Sequence, residues 1–211
     1  MRLYSFFLSS AAFRVRIALN LKGVHYDTVT VNLPQGEHRG AAFLATNPQA
    51  TVPVIDDDGT ILWQSLAIIE YLDARFPEPR LIPAEPVARA RVQALAQLIV
   101  CEMHPLNNLR VRNYLRQELG LDEAGGSRWY KHWIAEGFAS LEALVRRFSG
   151  GRYCFGDAVS VADVCLVPQV YNGRRFGCDL EPYPTIVRIA DGLRADPAFA
   201  RAAPEGQPDA K

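Results

Sequence analysis

Cysteine and histidine, the residues that most often build disulfides and metal sites, are scarce in this sequence. The 211 residues include four cysteines, at positions 101, 154, 165 and 178, and four histidines. No two cysteines have Cys-x-x-Cys spacing, so we expect reduced core thiols rather than a disulfide framework. We expect no bound metal, because the histidines are too dispersed to share an ion.

Long apolar runs and an excess of charge of one sign are also lacking. No stretch approaches the roughly 20 apolar residues that a membrane-spanning helix needs, and the apolar start of the chain is too short for a signal peptide. The 23 basic and 23 acidic side chains cancel, which gives no electrostatic reason for a nucleic-acid or membrane-surface partner. We therefore expect a globular protein of the cytoplasm.

The first part of the chain alternates strand and helix patterns. Residues 3–7 and 26–31 are rich in apolar, aromatic or β-branched residues, as strands are. Between them, residues 11–21 carry apolar side chains at helical spacing. A strand–helix–strand unit of this kind favours parallel strands joined by a right-handed crossover.

A hairpin and a further helix complete this first part. Asp58-Gly59 lies between two apolar runs and predicts a hairpin over 54–63. Ser65 is a good helix cap and starts the next helix. With a short helical piece before the hairpin, the predicted order is βαβ–ββα around a four-stranded sheet.

Four prolines between residues 76 and 86 cannot continue a helix and predict a linker. We place the domain boundary there, with an α/β domain over 1–79 and an all-helical domain over 80–211. Ser160 and Asp163 form a capping box that starts a helix. The other predicted helices cover 88–119, broken or bent near Pro105, then 129–148 and a segment after Pro184. We expect the tail after Pro204 to be loosely ordered.

Ser9 and Ser10 lie where the first predicted strand meets the first helix. The first amides of a helix lack internal partners and the helix dipole makes that end positive, so the pKa of a thiol bound there falls. A serine hydroxyl adds one more donor. The pair is therefore a candidate thiol site, and the alternative is that it only caps the helix.

Two later positions favour binding of an extended ligand. Val52-Pro53 precedes a strand, so a cis bond there leaves the Val52 backbone free for a ligand; the alternative is an ordinary edge-strand proline. Gln64-Ser65 offers amides and a hydroxyl to a carboxylate at a helix start; the alternative is a plain cap.

In combination, these motifs resemble those of the glutathione transferases, most closely the zeta class, which includes maleylacetoacetate and maleylpyruvate isomerases. The resemblance covers nearly the whole chain. The matching segments are 9–19, Asn47-Pro48 with Val52-Pro53, 64–72, 166–170 with Arg175-Phe176, 179–184 and 207–209.

The resemblance implies a glutathione transferase fold, with a thioredoxin-like α/β N-terminal domain and an all-α C-terminal domain. It implies glutathione as cofactor, a two-fold homodimer, and glutathione-dependent cis–trans isomerisation of a maleyl-type diketo acid. Its implied glutathione-binding residues are Ser9, His38, Val52, Pro53, Gln64, Ser65, Glu102 and His104. Its implied catalytic residues are Ser9, Ser10 and Arg175, and its implied substrate-binding residues are His104, Asn108, Arg110 and Arg175.

Two departures from the family pattern bear on the substrate. Leu8 stands where many members have an arginine that helps bind substrate, and Ala11 stands where some have a cysteine. The less cationic site at Leu8 leaves a general glutathione transferase or α-haloacid dehalogenase as an alternative. A third alternative, from another class, is a non-catalytic module of the same fold that binds partners. We expect Arg14 and Arg16 to form structural ion pairs.

Overall fold

A computed structural model describes residues 1–210. By their internal contacts these residues form two compact units, a sheet unit of 1–80 with 194–210 and a helical unit of 81–193. The elements in chain order are β1 (Arg2–Ser5), α1 (Ser10–Leu21), β2 (Asp27–Thr30), a 3₁₀ turn (Glu37–Arg39), α2 (Ala41–Thr46), β3 (Val54–Asp57), β4 (Thr60–Trp63), α3 (Ser65–Arg75), α4 (Pro86–Gln97), a π-helical segment (Leu98–Met103), α5 (Leu109–Gln117), α6 (Glu123–Phe148), α7 (Val161–Arg175), α8 (Pro184–Arg194), α9 (Pro197–Ala202) and a 3₁₀ turn (Pro204–Gly206).

The sheet has the order β2-β1-β3-β4. β1 and β2 are parallel, whereas β1 pairs antiparallel with β3 and β3 with β4. This arrangement confirms the predicted βαβ–ββα order. The hairpin turns at Asp58 and Gly59, whose φ angles of 51° and 90° explain why the sequence places Asp-Gly there.

Apolar packing on one side of β1 involves α2. Tyr4 meets Phe43 edge-to-face, with 6.2 Å between ring centroids, within a buried cluster that includes Val31, Val52 and Val54. Side chains alternate across a strand, so the fully buried Leu3 points to the other side of the sheet. β1 thus contributes to the core through both faces.

A buried ion pair fixes the end of α1. Lys22 caps the helix, and Gly23 follows in the left-handed conformation with φ 65°. The Lys22 ammonium lies 2.6 Å from Asp73 of α3 and 2.6 Å from the carbonyl oxygen of Pro79. The start of the predicted linker is therefore held against α1, and no helix forms between Arg75 and Pro86.

α7 is the central helix of the helical unit. All residues from Val161 to Val170 are buried, as expected of a helix that is surrounded by other elements. At its start the Asp163 carboxylate accepts hydrogen bonds from the amides of Cys154 and Ser160 and from the Ser160 hydroxyl, each at 2.8 Å. The predicted capping box is confirmed.

The predicted helix over 88–119 consists of three pieces in the structure. α4 continues into the π-helical segment, the chain turns over 104–108, and α5 follows. α6 begins six residues before the predicted start at 129, capped by Asp122, whose carboxylate accepts the Gly125 amide at 2.6 Å. A Cβ at Gly125 would lie 2.8 Å from the Leu121 side chain, so glycine stands in this first turn despite its low helix propensity.

The C-terminal tail is ordered by contacts with the sheet unit, contrary to expectation. The Gln207 side chain donates to the carbonyls of Arg201 and Ala203, both at 2.9 Å. Asp209 accepts the Phe7 amide at 2.9 Å, and α9 packs against α1. The helical domain predicted over 80–211 therefore extends too far, since 194–210 belong by contact to the sheet unit.

Arg16 also differs from the sequence expectation. Its buried guanidinium donates to the carbonyl oxygens of Ala202 and Phe7 and to the Ser5 hydroxyl, at 2.9 to 3.1 Å, rather than to a carboxylate. Burial lowers the pKa of Arg16 to about 10. The predicted ion pair is wrong for this residue because neutral oxygens at the end of β1 and in α9 satisfy it.

Two of the four cysteines are core thiols as expected, namely Cys154 and Cys165, whereas Cys101 is exposed and Cys178 half-buried; all four are free. Across residues 1–210, no helix combines the length and apolar character needed to cross a membrane.

Candidate functional site

The strand register of the sheet unit gathers three predicted binding segments at one edge. Tyr4 of β1 lies opposite Val54 of β3, and Val54 lies opposite Trp63 of β4. Because β3 runs antiparallel to both neighbours, β1 and β4 end at the edge where β3 begins. Each segment lies within a few residues of one of these strand ends: Ser9 after β1, Val52-Pro53 before β3 and Gln64-Ser65 after β4.

Ser9 is the N-cap of α1. Its hydroxyl oxygen accepts the Ala12 amide at 3.2 Å, while its own proton remains available for donation. The Ala11 amide has no partner among residues 1–210. The capping and thiol-binding roles are therefore compatible, and the helix start offers at least two donors. Ser10 is the first helical residue and is only 6% exposed.

Val52 presents an unpaired backbone. The Val52-Pro53 bond is cis, as the sequence led us to consider. Within the described chain, neither the amide nor the carbonyl of Val52 has a hydrogen-bond partner. The preceding loop is shaped by the fully buried Asn47, whose side-chain amide donates to the Thr51 carbonyl at 2.8 Å.

Gln64 is strained at the start of α3. Its φ of 72° and ψ of 117° are costly for a residue with a side chain, about 1–3 kcal/mol, and such conformations concentrate at binding sites. Gln64 rather than Ser65 occupies the N-cap position, so the predicted cap is wrong by one residue. Ser65 instead accepts a hydrogen bond at 3.3 Å from Arg14 of α1, which links the starts of α1 and α3.

His38 lies in the 3₁₀ turn after β2, the strand whose last residue pairs with Ser5 at the same edge of the sheet. Its Nδ1 atom is buried without a partner among the described residues. Burial, assisted by the neighbouring Arg39, lowers the pKa of His38. The ring is therefore neutral near pH 7, with a nitrogen available to a ligand.

The remaining predicted residues lie in the helical unit. Glu102 is exposed in the π-helical segment, and Arg110 is exposed in the first turn of α5. His104 Nε2 lies 3.5 Å from Asn108 Nδ2, so the structure brings these two together. The side-chain oxygen Oδ1 of Asn108 caps α5 by accepting a hydrogen bond from the Arg110 amide at 3.1 Å.

Arg175 is the last residue of α7, and it differs from its neighbour Arg174 in the groups that it contacts. Arg174 binds Asp191 through two parallel hydrogen bonds of 2.6 and 2.8 Å. Arg175 forms no ion pair with any residue of 1–210 and stacks over Phe176, with its guanidinium carbon 5.0 Å from the ring centroid. Of the two arginines, only Arg175 is available to an anionic ligand.

Sequence reasoning missed Arg112. Its guanidinium carbon lies 4.6 Å from the Phe176 ring centroid and 5.7 Å from that of Tyr130. It therefore shares the Phe176 ring with Arg175. The family resemblance implies Arg110 instead. The helical periodicity of α5 does not distinguish Arg110 from Arg112, whereas the contact with the Phe176 ring does.

The chain matches two known domain families, one in each half of the sequence. Residues 8–75 match the family described as glutathione S-transferase, N-terminal domain, and residues 127–172 match glutathione S-transferase, C-terminal domain. A probable maleylacetoacetate isomerase of Vibrio cholerae is 51% identical over 99% of this chain and 97% of its own length.

A solved structure of similar sequence is described as the holo form of a maleylpyruvate isomerase, a bacterial glutathione S-transferase of the zeta class. It is 48% identical, covers 99% of each chain and superposes with a TM-score of 0.97. The present chain belongs to the zeta class of the glutathione S-transferases. Its sheet unit is the thioredoxin-like domain of that fold, and its helical unit is the all-α domain.

Another solved structure of similar sequence contains ligands. A maleylacetoacetate isomerase of Methylobacterium extorquens AM1, described as having malonate and glutathione bound, is 43% identical, covers 100% of both chains and has a TM-score of 0.93.

Among residues 1–210 of the present transferase, no group of three or more His, Cys, Asp or Glu side chains is arranged to hold a metal ion.

Proposed function

We propose that this zeta-class transferase is a glutathione-dependent cis–trans isomerase of a maleyl-type diketo acid, maleylacetoacetate or maleylpyruvate. The observation that carries the proposal is the gathering of Ser9, Val52 and Gln64 at one sheet edge in a chain about half identical to such isomerases. We further propose that the sheet unit binds glutathione and the helical unit binds the substrate.

The residues at the sheet edge fit glutathione. The unpaired amide and carbonyl of Val52 match the backbone of a cysteinyl residue, which needs one donor and one acceptor. The buried, unpaired Nδ1 of His38 suits the glycyl carboxylate. The hydroxyl of Ser65 and the open amides at the start of α3 suit the γ-glutamyl carboxylate, with Gln64 and Pro53 beside them.

When bound, glutathione supplies a thiolate that adds reversibly to the conjugated double bond, about which rotation then becomes possible. Ser9 donates its hydroxyl proton toward the sulfur, and the positive end of α1 favours the anionic form of the thiol. Ser10 is buried in the first turn and positions the Ser9 backbone.

Arg175 binds a substrate carboxylate, because guanidinium groups match carboxylates in geometry and charge. His104, Asn108 and Arg110 contribute further polar contacts to the substrate. The charge that develops on the substrate carbonyls during addition is stabilised by these donors.

The test is to supply purified protein and glutathione with maleylacetoacetate and with maleylpyruvate, and to follow formation of the trans isomers. We expect glutathione-dependent turnover of at least one of them. Absence of turnover with both substrates overturns the proposal.

A dehalogenase reaction is the second candidate, because Leu8 leaves the substrate site less cationic. The same thiolate then displaces halide from an α-haloacid. Chloride release measured beside isomerisation separates the two, and chloride release that exceeds isomerisation favours the dehalogenase.

We also propose a homodimer in the cytoplasm. The dimer is the assembly that membership of the glutathione transferases implies. Four free thiols suit a reducing compartment. Light scattering after size exclusion is expected to give twice the 23.5 kDa chain mass, and a monomeric mass contradicts the dimer.

A further inference from the structure

Two arginines from different helices of the helical unit converge on one aromatic ring. Arg112 of α5 and Arg175 at the end of α7 both stack over Phe176, at 4.6 and 5.0 Å. The Phe176 ring itself packs on Tyr130 of α6, with 4.1 Å between centroids. Stacking on an aromatic face holds a guanidinium in a fixed plane while its N–H groups remain free at the edge.

The positive charge of this pair is not balanced by the protein. Neither Arg112 nor Arg175 forms an ion pair with a residue of 1–210, although the adjacent Arg174 does, with Asp191. Arg112 is partly buried, and its pKa is lowered mainly by that burial and further by Arg175 and Arg116. A partly buried cation beside a like charge is unfavourable unless an anion joins it.

We propose that Arg112 and Arg175 together bind one carboxylate of a dicarboxylate substrate, with Arg112 as a specificity-determining residue. The inference rests on the proposed function, because the maleyl-type substrate carries two carboxylates. The planar fork of each guanidinium can meet one carboxylate oxygen, a geometry that a lysine ammonium does not reproduce.

The test is calorimetric titration of malonate, a small stable dicarboxylate, into the full-length protein saturated with glutathione. We expect Arg112→Leu to weaken malonate binding about tenfold or more, and Arg112→Lys to give a smaller loss. Arg116→Leu is the matched control, since Arg116 is an exposed arginine one turn later on α5, and its malonate affinity should stay within about twofold of the wild type.

Thermal melting of each variant establishes that it is folded before titration. Unchanged malonate affinity in folded Arg112→Leu overturns the inference, as does an equal loss in Arg116→Leu or no malonate binding by the wild type. In the isomerase assay, Arg112→Leu should raise KM more than it lowers kcat. Because malonate binding needs no turnover, a wild type that binds malonate through Arg112 but does not isomerise contradicts only the proposed function.

Discussion

At the scale of single residues, the most informative groups are polar atoms that the protein leaves without partners. His38 is one of them: its Nδ1 is buried and unpaired within the described residues, and burial lowers its pKa. If it binds the glycyl carboxylate, the adjacent negative charge favours the protonated ring. We predict that the pKa of His38 rises when glutathione binds. Glutathione affinity should therefore increase as the pH falls through the range in which His38 titrates.

Proton NMR of the imidazole rings in a pH titration, with and without glutathione, measures this effect. The resonances of His25, whose side chain is 94% exposed, serve as the internal control and should not respond to glutathione. A His38 titration curve that is the same with and without glutathione contradicts the assigned contact.

The sequence predicted some residue roles and could not predict others. Ser9 follows from its place before an amphipathic helix, because capping depends on local geometry alone. The partners of Arg16 and Arg112 could not be predicted, because Arg16 binds the carbonyl oxygen of Ala202 and Arg112 lies over the ring of Phe176, both far along the chain. The strained backbone of Gln64 could not be predicted, because glutamine also occurs at the start of helices that have no strain.

At the scale of elements, the capping box of α7 has a measurable effect on stability. Asp163→Asn replaces one carboxylate oxygen by an amide nitrogen, which cannot accept from the Ser160 amide and hydroxyl. Since Asp163 is fully buried, we predict a loss of about 1–3 kcal/mol in the free energy of unfolding, measured by urea denaturation.

Glu123→Gln is the control for this change, because Glu123 is an exposed acidic residue in the first turn of α6. It should alter the free energy of unfolding by no more than about 0.5 kcal/mol. Equal stability of Asp163→Asn and the wild type contradicts a structural role for the box.

Element prediction worked where local signals agree. The hairpin, the capping box and the proline linker each depend on residues adjacent in sequence. The π-helical segment depends on packing instead: a Cβ at Gly137 of α6 would lie 2.1 Å from Met103, and this close approach cannot be recognised from helical periodicity.

At the scale of the whole molecule, the C-terminal tail stabilises the segment that carries Ser9. Asp209 accepts the Phe7 amide, two residues before Ser9, and Arg16 links the same segment to α9. We predict that Asp209→Ala lowers the free energy of unfolding by about 1–2 kcal/mol and reduces kcat, because the loop before α1 loses a fixed partner.

Glu205→Ala, an exposed acidic residue in the same tail, should leave both quantities near the wild-type values. Urea denaturation and steady-state kinetics on the two variants measure the difference. Equal effects of the two substitutions contradict a specific role for Asp209.

The central claim is that Ser9 and the start of α1 hold the thiol of glutathione as an anion. It is tested by following thiolate ultraviolet absorbance against pH for glutathione bound to the wild type, to Ser9→Ala and to Ser10→Ala. We predict that the pKa of the bound thiol lies at least about one unit below that of a free thiol, near 8.5. Ser9→Ala should raise the pKa of the bound thiol most of the way back to that of the free thiol and greatly slow isomerisation. Ser10→Ala should raise this pKa less. A bound thiol with the pKa of free glutathione in the wild type contradicts the account.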